Sequence, residues 1–79
     1  MIDFSLLAAR MQAPVAIEPF HTWTFPDGTL WTAFYRTNDS YLLRFPDLAD
    51  FQVSADALHV TGFPAPGVSD ATVQHLYLN

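Results

Sequence analysis

Three histidines, His21, His59 and His75, are the side chains here that titrate near neutral pH or suit a zinc ion. None of the short spacings of a metal site joins them, so they read as solvated or half-buried side chains, and no metal is expected. Ser54, Asp56 and His59 supply a hydroxyl, a carboxylate and an imidazole within one short stretch, the parts of a nucleophilic triad. No glycine-flanked nucleophile turn accompanies them, and they read as an ordinary turn. Arg36 and Arg44 flank a polar turn. Paired across two strands they would form a forked anion site; apart, each would pair with an acid such as Asp39. The chain has no lysine, which rules out a phosphate-binding loop ending in Gly-Lys-Ser/Thr. Gly28, Gly62 and Gly67 stand too far apart for a dinucleotide fingerprint. The expectation is a chain with no catalytic residues and no cofactor of its own.

The composition points the same way. Seventy-nine residues at 51% hydrophobic content suit one folded domain with a thin stability margin. Cysteine is absent, so packing alone must hold the core, and twelve aromatic residues are available for it. Charged residues make up 14% of the chain, against roughly 25% in typical soluble proteins. Small domains have the most surface per residue, so this deficit suggests a surface that something else covers. Eight acids against Arg10, Arg36 and Arg44 give a net charge of −5, which argues against nucleic acid and anionic membranes as partners. Asp3 and Arg10 bracket an apolar run too short for an export signal, and no run suits a membrane span. A cytoplasmic protein is expected.

These residues need elements to hold them. Residues 1–19 read as a flanking segment. Phe4, Leu7, Ala8 and Met11 follow helical spacing with Asp3 as a cap, which suits a short helix or a loosely held appendage, and Pro14 ends it. Residues 20–79 read as a β-rich domain. Five runs, Phe20–Phe25, Leu30–Arg36, Tyr41–Phe45, Asp50–Ser54 and Leu58–Phe63, are separated by turn signals such as Pro26-Asp27-Gly28 and Pro46-Asp47. Phe-Pro recurs at the ends of three runs, where the residue before proline favours extended geometry. A helix follows Pro64-Ala65-Pro66-Gly67. Ser69 suits its N-cap, Val68 and Val73 suit a hydrophobic staple, and Val73, Leu76 and Tyr77 form its apolar stripe. The fold predicted is α+β: a five-stranded antiparallel meander with a C-terminal helix on one face.

The second run is apolar on both sides, with Trp31, Ala33 and Tyr35 on one and Leu30 and Phe34 on the other. One side can take the helix; the other is the expected partner surface. Trp31 and Tyr35, or Leu30 and Phe34, are therefore the first candidates for contact, and Leu76 and Leu78 the second. Trp23 and Trp31 suit either core or interface anchors.

The stretch Tyr41-Leu42-Leu43-Arg44-Phe45-Pro46-Asp47-Leu48-Ala49-Asp50-Phe51, continuing through Gln52-Val53-Ser54, resembles the N-terminal region of bacterial HPr kinase-related (serine kinase-like) proteins. Pro64-Ala65-Pro66-Gly67, with Thr72, His75 and Leu76, is similar to the connector into their kinase part. The resemblance covers the second half of the chain; it is looser over Trp23–Arg36 and absent over the first nineteen residues. It implies a non-catalytic front domain of a longer kinase-like protein, whose phosphate-binding loop and catalytic acids lie beyond Asn79. The partner implied is its own kinase part, a second protomer in a homodimer, or a substrate peptide or protein. The alternative is a free-standing module that binds a peptide at an open sheet edge.

Overall fold

The computed structural model describes residues 2–78, Leu78 by its backbone alone. Its elements are β1 (Asp3–Leu6), β2 (His21–Thr24), β3 (Leu30–Arg36), β4 (Ser40–Phe45), β5 (Ala49–Ser54), β6 (His59–Pro64) and α1 (Asp70–Leu78). They form one six-stranded sheet in the order β1-β6-β5-β4-β3-β2. Strands β2 to β6 make the antiparallel meander.

Turn chemistry drives this part. Gly28 N–H donates to Phe25 O at 2.9 Å, with Pro26 fixing φ at the first central position. Leu48 N–H donates likewise to Phe45 O at 2.9 Å around Pro46-Asp47, where Asp47 takes φ 63°.

Two expectations need correction. The N-terminal residues form a strand, not a helix, and the sheet has six strands, not five. Phe4 and Leu6 alternate with Asp3 and Ser5, and the pair lies over Gly62, where an added Cβ would meet both side chains at 3.2 Å. The missing side chain at Gly62 makes room for β1 to lie parallel against β6. Phe4 then stacks on Tyr77 of the helix at 4.2 Å between ring centroids.

Helix α1 begins as its sequence suggests. Ser69 Oγ accepts from Thr72 N–H at 3.2 Å, and both Val68 and Val73 join the core. Val73 is completely buried, and Phe45, Ala49, Phe51 and Val60 complete the centre. This core lies between α1 and the β1-β6-β5 side of the sheet, with Phe45 reaching in from β4.

The opposite face is polar and has its own cover. From the β1 edge to the β2 edge the chain crosses this face through residues 7–20. Arg10 N–H donates to Pro64 O at 2.8 Å, and the Arg10 guanidinium lies 3.7 Å above the Phe63 ring. Gln12 donates to Phe45 O at 3.0 Å and accepts from Asp47 N–H at 2.8 Å. Beneath this strap sits Asp50, 1% exposed, gripped by Arg44 through Nε at 2.8 Å and Nη2 at 2.9 Å. Arg44 also donates to Ala13 O, and Arg10 approaches Asp50 at 3.6 Å.

A buried pair with both partners present gives little net stability, but breaking one side leaves a buried charge. Asp50→Ala should therefore cost about 3–5 kcal/mol, most of the margin expected for a domain this size. Urea unfolding monitored by circular dichroism checks it; a loss below about 1 kcal/mol would show that the strap and pair are not coupled to folding.

Candidate functional site

One helix leaves much of the sheet's helix-side face open. Direct cross-strand partners share a face, so Phe34 and Leu43, Arg36 and Tyr41, and Trp23 and Thr32 all lie on that side. Around Phe34 an aromatic cluster forms at the β2 edge. Trp23 meets Phe34 edge-on at 5.0 Å between centroids, His21 lies at 5.3 Å and Phe20 at 6.2 Å. Phe20 also approaches Tyr41 edge-on at 6.3 Å. Phe20 is 60% exposed and Trp23 53%. Phe20 and Trp23 make contacts that aromatic pairs prefer yet keep more than half of their surface in water, while Phe34 beneath them is half-buried.

The candidate contact residues part company here. Leu30 and Phe34 do not share a face as expected: Phe34, half-buried, lies within this cluster, whereas Leu30, exposed, pairs with Thr24 past a register slip and lies on the opposite face. Trp31 does not share a face with Ala33 and Tyr35 as strict alternation predicts. The β2–β3 register slips at Trp23/Thr24, leaving Trp31 without a ladder partner, and such a bulge re-aims its side chain. Trp31 packs edge-on against Phe45 at 5.1 Å, on the helix side, with Phe25 at 5.2 Å. Tyr35, half-buried opposite Leu42, stays on the polar face with Arg44 and Asp50. Leu76 is half-buried against the core, and the side chain of Leu78 lies outside the described residues. Trp23, which suited core or interface, is an open edge residue.

The groups with chemical potential are used structurally. Ser54 Oγ–H donates to Asp56 and accepts from His59 N–H at 3.0 Å, while Asp56 also accepts from Leu58 N–H at 3.0 Å. The imidazole of His59 turns instead to Asp3, with Nδ1 at 3.4 Å from its carboxylate and both side chains exposed. A hydroxyl bonded straight to the carboxylate has no base to activate it, so this is a turn lock and not a triad. Nearby, Asp39, Ser40, Gln52, Ser54, His59 and Thr61 line an open polar cleft of about 320 Å³.

Arg36 and Arg44 point to opposite faces, since their partners Tyr41 and Ala33 alternate, so no forked anion site forms. Hydrogen bonding to Asp50 raises the Arg44 pKa above its ordinary value, with burial opposing it. Among the described residues no three His, Cys, Asp or Glu side chains gather as a metal site. No helix among them is long and apolar enough to cross a membrane.

No family model, curated protein or solved structure matches this chain.

The turn lock has a pH signature. Its hydrogen bonds from Ser54 and Leu58 hold the Asp56 carboxyl below the ordinary carboxylate range. A depressed pKa gives stability that is present above the unfolded value, near 3.9, and is lost as pH falls through the folded one. Asp56→Ala should be less stable than wild type at neutral pH, and the gap should close in acid. Urea midpoints measured across that range test this; a constant gap would deny the carboxylate its role.

Proposed function

We propose that this chain is a non-catalytic interaction domain that docks through the aromatic face of β2, β3 and β4. The observation that carries this reading is the exposed pair Phe20 and Trp23, packed on half-buried Phe34. Large rings held in fixed mutual geometry but left in water are the anchors that protein interfaces use, because covering them releases apolar surface at little entropic cost. The low share of charged residues, 14%, fits the same picture.

The resemblance of the Tyr41–Ser54 stretch to HPr kinase-related proteins supplies the context. The domain acts as the front accessory unit of such a protein, in the cytoplasm, and contributes no catalytic residue. Its contact is the kinase part, another protomer or a substrate protein. The Phe34 side of β3 is favoured over the Tyr35 side, which faces the strap, while Trp31 is drawn into the core and Leu30, paired with Thr24 past the register slip, lies on the face opposite Phe34. A second reading, peptide capture by strand addition, draws support from β2, which has a strand neighbour on one side alone.

Calorimetric titration with the isolated catalytic part of an HPr kinase-related protein tests the first reading. Binding should weaken at least about tenfold for Trp23→Ser and for Phe34→Ser, as for interface hot spots. Undiminished binding by both variants would remove the aromatic face from the interface. Absence of binding by the wild type would remove the kinase part as its partner and leave the peptide module.

A further inference from the structure

The two edges of the sheet differ. At β1 the edge carries Asp3, an exposed charge of the kind that discourages edge-to-edge pairing. At β2 nothing does. From Phe20 to Phe25 there is no charged residue and no proline, and β-prone Thr22, Trp23 and Thr24 run along the edge. In a chain of net charge −5, the nearest acids, Glu18 and Asp27, lie beyond the ends of this strand. Two copies can therefore meet at β2 without placing carboxylates within the paired strands, although the molecules repel as wholes.

We propose that the β2 edge pairs with the β2 edge of a second copy, antiparallel about a two-fold axis, to make one continuous twelve-stranded sheet. This rests on reading the aromatic cluster as a contact surface, and not on the kinase resemblance. The register follows from symmetry. A two-fold axis normal to the sheet sets one residue opposite itself, and the regular part of β2, His21–Trp23, is centred on Thr22. Thr22 then faces Thr22 of the second copy, and His21 faces Trp23 of the second copy on the aromatic side. Both are cross-strand pairs that sheets favour, and the second extends an edge-on contact that His21 and Trp23 already make within one chain at 6.2 Å.

The area sets the strength. An aromatic side chain offers about 150–250 Å², so Phe20, Trp23 and Phe25, at 60, 53 and 45% exposure, leave on the order of 300 Å² open per copy. Doubled, and with threonines and strand backbone added, this remains below about 1,200 Å², the range of weak, reversible association. The dimer is expected at high micromolar concentration and above.

Because the chain has no cysteine, a single engineered one reports the register without background. Thr22→Cys should form a disulfide-linked dimer under mild oxidation, since paired residues have Cα atoms within the roughly 4.4–6.8 Å that a disulfide spans. Thr24→Cys should not, since its two copies would stand about 13 Å apart. Circular dichroism confirms the fold of each variant, and sedimentation from micromolar to millimolar concentration gives the mass of wild type and Trp23→Ser. A wild-type dimer weakened by Trp23→Ser, together with crosslinking at Thr22→Cys alone, supports the proposal. A dimer weakened by Trp23→Ser without that crosslink overturns the strand pairing and leaves the aromatic surface standing. A dimer indifferent to Trp23→Ser, also without the crosslink, overturns both. A monomer at every concentration overturns self-pairing, and the calorimetric titration then judges the surface separately.

Discussion

One short helix cannot cover six strands, and most of what is distinctive here follows from that mismatch. Nine residues of α1 extend about 13 Å, and a helix is about 10 Å wide, while six strands at about 4.8 Å spacing spread over about 25 Å. Staple residues Val68 and Val73 and the Phe4–Tyr77 stack set α1 over the β1-β6-β5 side. The remaining strands must leave that face in water or offer it to another molecule. Their residues there are mostly aromatic, Phe20, Trp23, Phe34 and Tyr41, with Arg36 at one end over the Tyr41 ring.

The other face solves its cover internally, by polar means. Arg44 and Asp50 stand opposite each other on the neighbouring strands β4 and β5, and Gln12 and Arg10 bring the crossing segment down onto them. Two of the three arginines are thereby committed to one buried acid. Asp56 and Ser54 lock a turn, and His59 turns to Asp3. The hydroxyl, carboxylate and imidazole of this stretch are thus each engaged in holding a turn or an edge.

Much of the meander was legible because its turns are written in residues with a single mechanical meaning. Pro26-Asp27-Gly28 and Pro46-Asp47 mark hairpins, and Ser69 with Val68 and Val73 marks the helix start. Strand β1 was not, because Phe4, Leu7, Ala8 and Met11 fit a helix as well as Phe4 and Leu6 fit a strand. The deciding partner is Gly62, far along the chain and parallel, with no local signal to announce it. The open aromatic face was half legible. The helix-side place of Phe34 could be read from the two-sided pattern of β3, but Leu30 could not be placed, because the slip turns it to the opposite face. The place of Trp31 depends on a register slip that alternation cannot show, and the role of Phe20 and Trp23 depends on how far one helix reaches.

On this reading the aromatic half-face stands open until a partner covers it. Acrylamide quenching of Trp23 fluorescence, in a Trp31→Phe variant so that one indole reports, tests it most directly. Ready quenching is expected in dilute solution, with protection as concentration or partner rises. An indole already shielded in the dilute, monomeric chain would contradict it.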